Sequence, residues 1–336
     1  MIVACIHFSR NTLLRRIPFP LLLAVCITVG EPRQVFAGFT PGNLFVTDAG
    51  SGSIFEFTPN GTETTIATGL TQLRGIAFDN SGDLLAATTT FNFGGHGVIL
   101  RINPAGQQTV FATIPGNHLL EGIAVHGSDV FVTTALTNPT NAPTIFKISP
   151  DGAATPFGSF PGNGFGIAFN AAGDLFAADS TVRKIFEFAP NGHRTTFASR
   201  IGSATPGLES GPVDVAFDNN GNLFTSVGNV ASAALGEIVE ILPSGTKSLF
   251  VSGLGSPSGL AFDSNGNLFV SDLYAGKVFE FSPAGMETVF ASGFLSPGFL
   301  AFGPPTGHGV PDSGTTAMLL GSALAVMALL HRVRLV

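Results

Sequence analysis

One phrase recurs six times along the 336-residue chain: GNLFVTD from Gly42, GDLLAAT from Gly82, GSDVFVT from Gly127, GDLFAAD from Gly173, GNLFTSV from Gly221 and GNLFVSD from Gly266, at spacings of 40, 45, 46, 48 and 45 residues. Each copy is followed by a second apolar run ending in Pro, such as IFEFTP at Ile54 and VFEFSP at Val278, then by a turn such as Asn60-Gly61 or Asp151-Gly152, then by a third run such as TVFAT at Thr109. A fourth run completes the unit: GIAFD at Gly75, GIAVH at Gly122, GIAFN at Gly166, DVAFD at Asp214, GLAFD at Gly259 and FLAFG at Phe299. Four short strands per repeat of this length describe the blade of a propeller, not a helical solenoid or a sandwich. Runs such as LFV and IAF are apolar without alternation, as expected of strands covered on both faces by neighbouring blades.

The sequence therefore predicts an all-β, six-bladed β-propeller with four strands per blade. Its closure is also predicted. With residues 1–37 set aside as an address, only Gly38 to Pro41 precede the first GNLF phrase, too few for an innermost strand, whereas the run at Phe299 is a spare copy after the last blade. The C-terminal strand is expected to complete the first blade and remove the open edges of the ring. Composition agrees: 43 Gly and 22 Pro supply turns, and 32 Phe supply bulky strand residues.

The two ends read as addresses, dividing the chain into residues 1–37, 38–309 and 310–336. Arg10, Arg15 and Arg16 precede an apolar run from Ile17 to Val29, and Val35-Phe36-Ala37 suits cleavage after Ala37, the pattern of a secretory signal peptide. Both cysteines, Cys5 and Cys26, fall in this segment, so the mature chain is expected to hold no disulfide. At the other end, an uncharged run from Thr315 to Leu330 is followed by His331, Arg332 and Arg334. Sixteen residues at about 1.5 Å each fall short of a bilayer core of roughly 30 Å, a short transmembrane helix suited to being read and cut. Before it stand Val310, Pro311, Asp312, Ser313 and Gly314. This tail resembles the VPDSG relative of the PEP-CTERM sorting signals. The resemblance implies export across the inner membrane, an exosortase-type processing enzyme as partner, and a destination at the cell surface or beyond.

Between Gly38 and Val310 nine basic side chains face twenty acidic ones, a balance that repels phosphate backbones and excludes nucleic acid as a partner. The ring resembles the NHL and gluconolactonase-like (strictosidine-synthase-like) six-bladed propellers, with FVSDLYAGKVFEFSPAG from Phe269 close to the NHL pattern. In such propellers the connections entering the innermost strands and leaving the second strands share the ligand face. Arg74, Glu121, Phe165, Val213, Ser258 and Gly298 stand just before the innermost strands. The calcium-dependent lactonases of that family place a Glu, an Asn and an Asp there, and only Glu121, in LLEGIAV, matches. The resemblance thus implies Ca2+ at Glu121 under an enzymatic alternative, a lactonase-like hydrolase or streptogramin-lyase-like enzyme with His118 as acid or base. The other expectation is a pair between Glu121 and Arg74 across the channel mouth and no cofactor.

Asp48, Asp179 and Asp272 end the second strand in three blades and are expected to bond their own backbone in turns. The longest connections, Thr88 to Gly97 with His96 and Thr133 to Thr144, add candidate binding residues on the same face, as does Tyr274, the single tyrosine. Trp is absent, which argues against a sugar site and for a peptide, protein or other envelope ligand. The expected function is a non-catalytic, monomeric binding or scaffold module with Arg74, Glu121, His96, Ser258 and Tyr274 at its ligand face.

Overall fold

A computed structural model describes residues 38–89, 96–135, 144–203, 210–228 and 236–304. Both terminal address segments, including the sorting motif, lie outside the described residues. Among those residues no helix is long and apolar enough to cross a membrane. The described residues form 24 strands in six four-stranded antiparallel sheets.

Blade 1 uses β1 (Leu44–Asp48), β2 (Ser53–Phe57) and β3 (Glu63–Ala67). Blade 2 is β4 (Ile76–Phe78), β5 (Leu84–Thr89), β6 (His96–Ile102) and β7 (Gln108–Asn117). Blade 3 is β8 (Leu119–His126), β9 (Asp129–Ala135), β10 (Thr144–Ile148) and β11 (Ala154–Ser159). Blade 4 is β12 (Gly164–Phe169), β13 (Leu175–Asp179), β14 (Lys184–Phe188) and β15 (Arg194–Ser199). Blade 5 is β16 (Gly211–Phe217), β17 (Leu223–Gly228), β18 (Gly236–Ile241) and β19 (Lys247–Leu254). Blade 6 is β20 (Pro257–Phe262), β21 (Leu268–Asp272), β22 (Lys277–Phe281) and β23 (Glu287–Ser292). The last strand, β24 (Pro297–Phe302), pairs with β1 and is the innermost strand of blade 1, the closure expected from the repeat count.

The closure is an ordinary blade turn cut open. In blade 6 the turn from innermost to second strand is held by Asp263 N–H on the Asn267 carbonyl at 3.0 Å. In blade 1 Gly303 takes the place of Asp263 and Asn43 that of Asn267, with the same bond at 2.8 Å. Gly42, at φ +78, matches Gly266 at φ +82, a left-handed conformation that glycine adopts without strain.

Burial explains the phenylalanines. At five seams three rings meet largely edge to face: Phe131, Phe157 and Phe169 between blades 3 and 4; Phe176, Phe197 and Phe217; Phe224, Phe250 and Phe262; Phe269, Phe290 and Phe302; and Phe39, Phe45 and Phe78 between blades 1 and 2. In the last of these Phe39, just before the ring, stands in for an outer-strand ring that blade 1 lacks, because Ile66 occupies the position. The seam between blades 2 and 3 departs from the pattern, with Leu85, Phe111 and Val125 in its place.

A second device locks the seams nearest the axis. The innermost strands bulge where they pair with the second strands, which leaves one N–H in each without a ladder partner. In blades 3, 5 and 6 a hydroxyl at the fourth position of the repeated LFVT phrase accepts that bond and donates to the next blade, whereas Thr47 of blade 1 donates to the Phe299 carbonyl of its own blade. Thr133 Oγ1 accepts from Gly122 N at 2.8 Å and donates to the Phe165 carbonyl at 2.5 Å. Ser226 Oγ accepts from Asp214 N at 3.0 Å and donates to the Ser258 carbonyl at 2.5 Å. Ser271 Oγ accepts from Gly259 N at 2.8 Å and donates to the Gly298 carbonyl of blade 1. Blade 2 has Ala87 at this position, and its Gly75 N–H reaches the Glu121 carbonyl of blade 3 directly, at 2.9 Å.

Removing such a hydroxyl strands a buried donor and a part-buried acceptor together, at a cost of about 1–3 kcal/mol. Ser226→Ala and Ser271→Ala are each expected to lower the melting temperature by several degrees. Ala87→Ser should not raise it, because the direct bond already satisfies that seam. Unchanged melting of both alanine variants would refute the relay.

Candidate functional site

The top face of the ring carries the C-terminal ends of the second strands and the entries to the innermost ones. Asp48, Asp179 and Asp272 lie here, and their carboxylates are fully engaged by backbone. Asp48 accepts from Ser296 N at 2.7 Å, Leu295 N at 3.1 Å and Gly50 N at 3.1 Å. Asp179 accepts from Gly162 N at 2.9 Å and Val182 N at 3.2 Å. Asp272 accepts from Gly255 N at 2.6 Å and Ser256 N at 2.9 Å, and from Tyr274 and Ala275 N at 3.1 Å. Each aspartate thus clamps the connection entering its blade to the one leaving its second strand, the turn role expected from sequence. On the bottom face Asp79, Asp218 and Asp263 close turns in the same manner.

Of the candidate binding residues, the structure gathers four around blades 2 and 3. Arg74 N–H bonds to the Ala87 carbonyl at 3.0 Å, and Gly75 N–H to the Glu121 carbonyl, which sets the two side chains next to each other. Arg74 Nε lies 3.6 Å from Glu121 Oε2, the arginine side chain 37% exposed and the glutamate 5%. The pair bridges the seam between neighbouring blades and does not reach across the channel mouth. At this distance it is an ion pair without a hydrogen bond, and the buried Arg74 Nε donates to no described group. Burial pushes the Glu121 carboxyl up to about 7, with Arg74 opposing the shift.

His118 lies between β7 and β8, half-buried, its ring 5.4 Å from that of Phe146 and edge-on to it. Burial lowers its pKa, which leaves a neutral imidazole at neutral pH. His96 does not sit in a loop as expected but opens β6, opposite Asn117, because β5 runs on through Thr89. Ser258 and Tyr274 belong to blade 6, diametrically opposite blade 3, so they form no single site with Glu121. The Ser258 carbonyl takes the Ser226 relay, and Tyr274 stands 50% exposed after β21. Among the described residues no three His, Cys, Asp or Glu side chains converge as a metal centre.

Sequence reasoning passed over Asp214. It stands on β16 where four other blades carry glycine, and that substitution in the DVAFD phrase is the signal that marks it. A Cβ at the equivalent Gly122 would meet the Phe165 carbonyl at 2.6 Å, and one at Gly166 would meet Asp214 Oδ1 itself. The Asp214 side chain is therefore packed among the axial strands, with Oδ2 accepting from Leu260 N of blade 6 at 2.9 Å. Burial raises this carboxyl to about 7 against the two backbone N–H groups that favour the charged form.

Comparison with known proteins agrees at both levels. A family model described as the VPDSG-CTERM motif matches residues 309–334, a motif that suggests a secreted, cell-surface protein with a C-terminal sorting signal. No curated protein sequence matches. The ring is similar to a propeller in the crystal structure of a nidogen/laminin complex, with TM-score 0.64 and 17% identity over 78% of this chain and 98% of that one. It is also similar to virginiamycin B lyase from Staphylococcus aureus, with TM-score 0.55 and 18% identity over 75% and 82%. A gluconolactonase from Xanthomonas campestris gives TM-score 0.56 and 18% identity over 68% and 79%. At these identities the likeness is one of fold.

Proposed function

We propose that this chain is an exported, surface-displayed propeller that binds an envelope protein or peptide without catalysis, at the seam between blades 2 and 3. The observation that carries this reading is the Arg74–Glu121 pair. Glu121 is the one residue matching the lactonase metal set, and its carboxyl already has a guanidinium 3.6 Å away and is pushed up to about 7. A carboxyl that is half protonated near neutrality and paired with arginine is a poor ligand for a hard cation. The half-exposed Arg74, with a buried Nε that lacks an acceptor, is instead suited to a carboxylate or carbonyl offered by a partner. The propeller of the nidogen/laminin complex shows that this fold also occurs in a protein–protein assembly.

Two measurements on the purified full chain test the reading. Calcium should leave the melting temperature unchanged, since only a ligand of the native state raises it. Capture of cell-envelope fractions should fall at least tenfold in Arg74→Ala. A calcium-induced rise that is lost in Glu121→Gln, together with lactone hydrolysis abolished by chelator, would replace this function with the enzymatic one. The similarity to a lyase and a gluconolactonase gives that alternative its place.

A further inference from the structure

The ring has two unlike faces, and the chain leaves it from only one of them. Gly303 ends β24 with its N–H on the Asn43 carbonyl at 2.8 Å, and a Cβ on Gly303 would lie 2.6 Å from the Thr40 carbonyl oxygen. Both ends of the domain therefore emerge side by side on the bottom face, close to the axis because β24 is an innermost strand. The bottom connections are uniform: ten of five residues each, such as Asp79 to Asp83 and Ser282 to Met286, and one of two at Gly127-Ser128. Every connection longer than that starts and ends on the top face, including those from Thr89 to His96, Ala135 to Thr144, Ser199 to Gly211 and Gly228 to Gly236. Length variation concentrated on one face of a regular scaffold is where binding residues collect.

We infer that the propeller is displayed with its bottom face toward the surface that holds the C-terminal tail and its top face, with Arg74 and Glu121, directed away from it. The inference rests on the surface-display reading above. Geometry supplies the orientation. From Pro304 to Val310 the chain reaches at most about 20 Å. Turning the ring over would carry the tether from β24 to the rim, across three strand spacings of about 4.8 Å, and then up a blade edge five or six residues tall, about 33 Å in all. The tether to Val310 is well short of that. Adsorption does not contribute, since Asp218, Asp263, Glu240 and Glu280 make the bottom face acidic and anionic headgroups repel it. The orientation applies to the product cut at the motif; with the tail retained the tether runs on to Thr315 and reaches about 37 Å, enough to let the ring turn over.

Absence of cysteine after residue 37 makes the test clean. Ser81→Cys and Ser264→Cys place thiols at exposed bottom turns, and Ala275→Cys and Leu295→Cys place them on the top face. On cells displaying the full chain, a small membrane-impermeant maleimide should label all four. A maleimide carried on a large dextran should label the bottom pair at least tenfold more slowly than the top pair, and all four alike after detergent extraction. A flexible insert of about twenty Gly and Ser residues between Pro304 and Val310 should abolish the difference. Equal dextran labelling of both faces on cells, or slower labelling of the top, would overturn the orientation. Labelling at no site until the cells are lysed would instead overturn surface display, and the orientation with it.

Discussion

A chain that stops at Ser296 will not fold to a five-and-three-quarter-bladed ring; it will be recovered as aggregate or as a species without a cooperative melting transition. The expectation follows from what β24 holds. Its backbone pairs with β1 from Leu44↔Phe302 to Asp48↔Pro297, and Phe299 N–H bonds to Thr47 Oγ1 at 2.8 Å. Phe299 is buried in the cluster between blades 1 and 2, and Leu300 in that between blades 6 and 1, so one strand fills two seams. Burying each of these side chains contributes about 1.5–3 kcal/mol. Losing both, with a full ladder and the Gly298 end of the Ser271 relay, removes a large part of the roughly 5–15 kcal/mol that keeps a domain folded. It also bares the β1 edge, a template for aggregation.

The companion variant separates loss of the strand from loss of chain continuity. Joining Gly303 directly to Thr40 and opening the chain at Ser264 recreates the blade 6 turn at the old closure, and this circular permutant should fold with all six blades. It gives up Phe39, 5% exposed between Phe45 and Phe78, so its melting point should fall by several degrees without loss of cooperativity. A soluble truncation that melts like the full chain, or a permutant that fails to fold, would contradict this account of the closure.

The blade count, strand order and closure were legible because each repeat repeats its own physics: a glycine turn, an unbroken apolar run, a Pro-Asn-Gly or Asp-Gly turn and an outer strand. The role of Asp48, Asp179 and Asp272 was legible for the same reason, since short carboxylates at strand ends bond backbone. The site was less so. Which loops share a face follows from strand direction, but which side chains meet follows from angular position around the ring. Arg74 and Glu121 sit in adjacent blades, whereas Ser258 and Tyr274 stand half a turn away. The relays through Thr133, Ser226 and Ser271 are written in the repeat as one small hydroxyl, yet their meaning depends on bulges that no periodicity displays. Asp214 was hidden by resemblance itself, because its strand reads like the others except for the residue that replaces glycine.

Asp214 and Glu121 together give the protein a pH dependence opposite to the usual one. In the unfolded chain these carboxyls titrate at their ordinary values of 3.8 and 4.5; in the folded ring burial holds both at about 7. Between those limits the folded state binds more protons than the unfolded, so stability falls as pH rises from about 4 to about 7 and stays low above it. A carboxyl displaced this far costs on the order of 4 kcal/mol at alkaline pH, enough to move the melting temperature by roughly ten degrees. Asp214→Asn keeps an acceptor for Leu260 N–H while removing the buried charge, so it should melt several degrees above the wild type at pH 8, close to it at pH 5, and with a flattened profile between. Glu121→Gln should flatten the profile less, because its carboxyl is displaced from 4.5 where that of Asp214 is displaced from 3.8. Melting curves of the three proteins from pH 5 to pH 8.5 decide the matter. A wild-type melting temperature that rises across this range, or an Asp214→Asn profile parallel to it, would show that the axial carboxyl is charged in the folded ring and stabilised by contacts other than those made with Leu260 and its own strand.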